Sequence, residues 1–122
     1  GLFCSTPMVA VSRKINRKPM MKMLLTGEPI KAKFAKEIGL INDYYSKSRL
    51  NYEVLKIAKQ IASKSNLTIK IGKRAFYKQL EMPLNKAYAY TSKMMTTNMM
   101  AIDAREGISA FLEKRKPTWK NK

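Results

Sequence analysis

Apolar residues recur at helical spacing along almost the whole chain, and this periodicity restricts the fold more than any other feature. Val54, Leu55, Ile57, Ala58, Ile61 and Ala62 form one such stripe within an expected helix from Tyr52 to Ser63. Asn66 is placed to cap the next helix, in which Leu67, Ile71, Ala75 and Leu80 share a face. After a break at Met82-Pro83, a long helix is traced by Leu84, Ala87, Tyr88, Thr91, Met94, Met95, Asn98 and Ile102. The last helix carries Ile108, Phe111 and Leu112, with Lys114, Arg115 and Lys116 in its final turn and Pro117 after it. Asp103 and Glu106 stand at capping-box spacing before it.

The N-terminal third reads as shorter pieces. Thr6-Pro7 has the form of an N-cap followed by a proline in the first turn, opening a helix to about Ile15. A second helix is expected from Pro19 to Leu25, ending at Gly27, and a third from Lys31 to Ile38, ending at Gly39. Between them Glu28-Pro29 forces extended or turn backbone. Leu40 to Tyr45 is the one strand candidate, and Ser46 to Ser48 is a polar connector. The helices are short and several are only half apolar. Folded alone they would leave apolar faces uncovered, which points to covering partners from further chain or neighbouring subunits. With Gly1-Leu2-Phe3-Cys4 entering directly on an apolar run, the chain reads as a fragment.

Composition removes several classes of chemistry. Histidine is absent, so Ser-His-Asp triads, Cys-His dyads and His-rich metal sites cannot be built from these residues. The single cysteine, Cys4, can form no internal disulfide and gives no metal spacing. It reads as a small packed thiol and as a sign of a reducing compartment. No apolar run approaches the ~18 residues of a membrane span, and no secretory leader is visible. The net charge of +17 fits either a polyanionic partner or a lysine-biased composition spread over solvated helix faces. Dispersal of the cations along the chain favours the second.

Three stretches, in order, resemble the enoyl-CoA hydratase/isomerase (crotonase) family. The first is Met23-Leu24-Leu25-Thr26-Gly27-Glu28-Pro29-Ile30, followed by Ala32, Ala35 and Gly39-Leu40-Ile41-Asn42. The second runs from Ala58 to Ala62 through Ser63-Lys64-Ser65 to a helix containing Lys73. The third is Arg105-Glu106-Gly107-Ile108-Ser109-Ala110-Phe111-Leu112-Glu113-Lys114-Arg115-Lys116-Pro117-Thr118-Trp119. The opening Gly1 to Pro7, with Phe76-Tyr77-Lys78-Gln79-Leu80, is most similar to the branch of enoyl-CoA hydratase domain-containing proteins.

The resemblance implies a mainly α segment with one short strand, the C-terminal part of the α/β crotonase (ClpP/crotonase spiral) fold. Residues 1–45 would be the end of the crotonase core and residues 46–122 a helical oligomerisation and lid region. It implies an enzyme of fatty acid metabolism, a lyase or isomerase when full length, acting on acyl-CoA or enoyl-CoA without a prosthetic group. Oxyanion-hole N–H groups and both catalytic carboxylates would lie upstream of residue 1, so no catalytic or metal-binding residue is expected in this segment. Leu2, Phe3, Ser5 and Thr6 match the loop beside the acyl pocket. Met95 matches a position where a neighbouring subunit's helix covers the acyl chain, against the alternative of plain helix core. Lys114 matches a lysine that approaches the CoA phosphates, against that of a solvated helix-terminal cation. Trp119 is expected to anchor the tail.

Self-association as a trimer or dimer of trimers is implied, in bacterial cytoplasm or the mitochondrial matrix, with no nucleic acid and no membrane insertion. One departure bears on activity. The family's glycine-rich stretch is replaced here by Phe3-Cys4-Ser5-Thr6-Pro7-Met8. Two other readings therefore stand beside the enzyme: a non-catalytic acyl-CoA-binding or assembly member of the same family, and a basic helical nucleic-acid-binding module.

Overall fold

A computed structural model describes residues 1–122 as seven α-helices with no strand: α1 (Ser5–Ser12), α2 (Arg17–Thr26), α3 (Ala32–Glu37), α4 (Lys47–Ala62), α5 (Asn66–Gln79), α6 (Leu84–Met99) and α7 (Ile102–Leu112). They fall into two compact units, Gly1–Val54 and Leu55–Lys122, with the division inside α4.

In the first unit α1 packs on α2, with Ile15 of the connector and Met20 of α2 buried. The expected glycine stops are present. Gly27 caps α2 at φ 63° with its N–H donating to Met23 O, and Gly39 follows α3 at φ 77°. The Gly39 and Leu40 N–H groups donate to Lys36 O and Ala35 O, satisfying the last carbonyls of α3. The helix α1 begins at Ser5, two residues before the expected start. Cys4 is its N-cap residue, without a side-chain capping bond, so Thr6 caps nothing and Pro7 sits harmlessly in the first turn.

The expected strand at Leu40 to Tyr45 is irregular backbone. Its donors are spent locally: the Leu40 and Ile41 N–H groups return to Ala35 O, and that of Tyr44 goes to Asp43 Oδ1. A strand also needs a ladder partner, and this chain contains no other strand.

In the second unit α5 and α6 form an antiparallel hairpin. Thr68 at the start of α5 donates its hydroxyl to Asn98 Oδ1 at the end of α6, at 3.2 Å. Buried Ala75 and Ala87 lie on these two helices, where small side chains permit close approach. Ser65, not Asn66, is the N-cap of α5, its Oγ accepting from the Thr68 N–H. The apolar pattern that joins Leu84 to Ile102 conceals a break: Ala101 is extended, and α7 starts anew at Ile102 and packs against α6.

The core is thin. The buried apolar residues are Ile15, Met20, Ala35, Ala75, Ala87 and Ala110, while Leu25, Leu84, Phe111 and Leu112 are each more than 70% exposed. Four of the six core residues are alanines, so most of the large apolar side chains face outward. This is the uncovered surface that the short amphipathic helices imply.

Candidate functional site

The candidate residues occupy three separate places. Leu2 lines an apolar cavity of about 280 Å³ in the first unit, with Cys4, Pro7, Met8 and Val11 around α1 and Met20, Met23 and Leu24 of α2. Phe3, Ser5 and Thr6 are exposed on the same stretch and do not line it. Ser5 donates through both its N–H and its hydroxyl to Phe3 O, which fixes the turn into α1. Cys4 is an exposed thiol at the cavity edge rather than the packed one expected, because the early start of α1 puts it at a helix end.

Met95 lines a second cavity, of about 210 Å³, between α5 and α6, with Ile71, Gly72 and Met94 among its neighbours. It is 63% exposed, so it is not core within this chain.

Lys114 stands just beyond α7, exposed, in the left-handed region at φ 53°. Its N–H donates to Phe111 O at 3.2 Å and that of Arg115 to Ala110 O at 3.0 Å, the paired closure that usually has glycine at this position. Phe111 is the most exposed aromatic residue at 83% and lies one helical turn before Lys114. The apolar spacing of α7 could not set it apart from a core position.

The acidic residues near α7 do something other than form a capping box. The N-cap is Ala101, with no side-chain capping bond. Asp103, 2% exposed, accepts from the Ser65 hydroxyl at 2.5 Å and from the Lys120 and Asn121 N–H groups at 2.6 and 3.0 Å. Its own N–H donates to Lys122 O, and Asn121 Oδ1 accepts from the Asn66 N–H at the start of α5. The tail thus satisfies donors at the N-termini of two helices at once. Burial pushes the Asp103 carboxyl up, but the bonds from Ser65, Lys120 and Asn121 outweigh it and hold the carboxyl below its ordinary value.

Glu106 is taken by Arg115. The Arg115 Nη1 and Nη2 donate to its two carboxylate oxygens at 2.6 and 3.0 Å, and the Thr118 N–H donates to Oε1 at 2.7 Å. These contacts, the arginine's first, hold the Glu106 carboxyl at about 2. With their oxygens engaged, neither acid is a proton shuttle at neutral pH. Trp119 anchors the tail as expected: its Nε1 donates to Ser63 O at 2.7 Å, and its ring lies against Gly107. No group of three or more His, Cys, Asp or Glu side chains could hold a metal, and no helix is long and apolar enough to cross a membrane.

Comparison with known proteins gives a consistent result. A family model described as enoyl-CoA hydratase/isomerase matches residues 3–122. The chain is 48% identical over 119 residues to the human enoyl-CoA hydratase domain-containing protein 3, mitochondrial, covering 98% of this chain and 39% of that protein. It superposes on the crystal structure of that human protein with a TM-score of 0.93, covering 98% of this chain and 47% of the other. On an enoyl-CoA hydratase from Mycobacterium smegmatis, 44% identical, the TM-score is 0.94, with 98% and 46% covered. The chain spans less than half the length of each of these relatives.

Proposed function

Because the chain belongs to the enoyl-CoA hydratase/isomerase family and matches crotonase-fold structures as their C-terminal segment, we propose that it serves a longer protein acting on CoA thioesters. In this reading residues 1–45 end the catalytic core and residues 46–122 form a helical oligomerisation and lid region. The oxyanion-hole donors and the two carboxylates for proton transfer belong to chain upstream of residue 1. No prosthetic group is needed, since the thioester itself supplies the electrophile.

The observation that carries the proposal is the apolar cavity beside Leu2. It lies at the stretch where the resemblance puts the acyl-pocket loop, and its methionine and leucine lining suits an alkyl chain. Phe3, Ser5 and Thr6 would border the thioester end. Met95, exposed on α6, would cover the acyl chain of a neighbouring subunit in a trimer or dimer of trimers, and Lys114 would meet the CoA phosphates. The human relative is named as mitochondrial, which supports a matrix location.

The test is binding and turnover of 2-enoyl-CoA substrates of increasing chain length by the full-length protein, with Leu2→Trp as the variant. The expected result is turnover with a shift toward shorter chains in the variant. Failure to bind any acyl-CoA overturns the proposal. Binding without turnover selects the non-catalytic family member, which the replaced glycine-rich stretch at Phe3 to Met8 favours. Salt-sensitive retention of nucleic acid, with no acyl-CoA binding, selects the basic module.

A further inference from the structure

Lys114 is an exposed lysine in a backbone conformation that favours glycine, while Glu113, Arg115 and Thr118 around it are held by side-chain bonds. Glu106, two turns back on α7, receives both Nη groups of Arg115 and the Thr118 N–H on its single carboxylate. Arg115 Nε donates in turn to Glu113 Oε2 at 2.6 Å, and Arg115 Nη1 reaches Lys116 O at 3.4 Å. The residues on both sides of Lys114 are therefore fixed to α7 through one planar fork. The left-handed turn is closed by its own backbone bonds, Lys114 N–H to Phe111 O and Arg115 N–H to Ala110 O, and the fork fixes the residues that follow it.

We infer that Glu106 is a positioning residue: through Arg115 it presets the turn Glu113–Thr118, so that the Lys114 backbone is already set when a phosphorylated ligand arrives. The inference rests on the reading of Lys114 as a contact to the CoA phosphates. A lysine side chain is a flexible point charge, and presetting its backbone removes part of the ordering cost of binding a polyanion. The Arg115 side chain is 40% exposed and that of Glu106 20%, so the pair contributes to stability as well as to orientation.

The experiment uses the full-length protein and two probes: butanoyl-CoA, a saturated thioester that hydration cannot consume, and its 3′-dephospho analogue. Lys114→Gln is expected to weaken butanoyl-CoA binding by about tenfold, the scale of one charge-assisted hydrogen bond. The dephospho analogue should be affected far less. Glu106→Gln should reproduce that selective loss, Glu106→Asp should restore part of it, and the double variant should bind no worse than Lys114→Gln alone. A selective loss in Lys114→Gln but not in Glu106→Gln overturns the positioning role while leaving the phosphate reading intact. Where Lys114→Gln is selective for the 3′-phosphate, an equal loss for both probes in Glu106→Gln also overturns it, since that is the signature of a merely structural residue. No loss in Lys114→Gln removes the phosphate reading and the inference with it. Amide exchange on the unmutated, ligand-free protein decides the matter even where Glu106→Gln fails to fold. Slow exchange at Thr118, whose N–H donates to Glu106, supports a preset turn, and exchange that slows only when butanoyl-CoA is added overturns it.

Discussion

The Ser65 hydroxyl donates to the Asp103 carboxylate across 38 residues of sequence, with only 3% and 2% of the two residues exposed. Ser65 Oγ also accepts from the Thr68 N–H, so one hydroxyl caps α5 and ties it to the start of α7. Asp103 passes the connection on to the tail through Lys120 and Asn121.

The Asp103 carboxylate accepts at every one of its contacts, so Asp103→Asn is not conservative here. The new amide has one acceptor oxygen, and its NH2 group must face the tail's N–H donors or the Ser65 hydroxyl. At least one buried donor loses its partner. The unfolding midpoint of the full-length protein is expected to fall by about 5 °C or more, and Ser65→Ala by less. A midpoint unchanged within about 1 °C in Asp103→Asn would show that the tail contacts contribute nothing.

The same acids set a pH dependence. Glu106 is held at about 2 against an ordinary value of 4.5, and Asp103 is lowered as well. A carboxyl lowered by folding stabilises the fold fully above its ordinary value. That contribution is lost as pH falls through the folded value, here for Glu106 between about 4.5 and 2. Denaturant midpoints measured across this window should fall with acid, and Glu106→Gln should flatten the part due to this residue. Equal slopes in the parent and the variant would contradict the assignment.

Trp119 packs over Gly107 closely enough to read the size of that site. A Cβ built on Gly107 meets the indole ring at 3.4 and 3.5 Å, which is ordinary contact. Gly107→Ala should therefore keep the ring in place and gain up to ~1 kcal/mol from the helix preference of alanine. Gly107→Leu has no room and should displace Trp119 from Ser63 O, costing ~1–3 kcal/mol by overpacking. Tryptophan fluorescence distinguishes the two: unchanged for alanine, red-shifted for leucine.

What was legible in the sequence follows from how local each signal is. Gly27 and Gly39 ended their helices because a left-handed residue is a local requirement that glycine meets. Leu40 to Tyr45 misled because a brief strand candidate forms a strand only when a neighbour exists to pair with it. Asp103 and Glu106 have true capping-box spacing, but the groups that claim them lie 9 to 38 residues away, and no window of a few residues contains that competition. Of the candidate binding residues, Leu2 lines the N-terminal cavity, Met95 a different one, and Lys114 the end of α7.

Lys114 offers a test in which stability and binding move in opposite directions. A non-glycine residue in the left-handed region costs roughly 1–2 kcal/mol, and Lys114 sits there at φ 53°. Glycine removes that cost but gives the unfolded chain extra freedom worth ~0.4–1 kcal/mol. Lys114→Gly is therefore expected to stabilise the fold by a net ~0.5–1 kcal/mol, read as a higher denaturant midpoint with unchanged slope. If the ammonium meets the CoA phosphates, the same variant binds butanoyl-CoA more weakly, on the order of tenfold. A variant that is both more stable and undiminished in binding would leave the lysine without a role at this position. One that is less stable would show that its side chain makes contacts outweighing the strain.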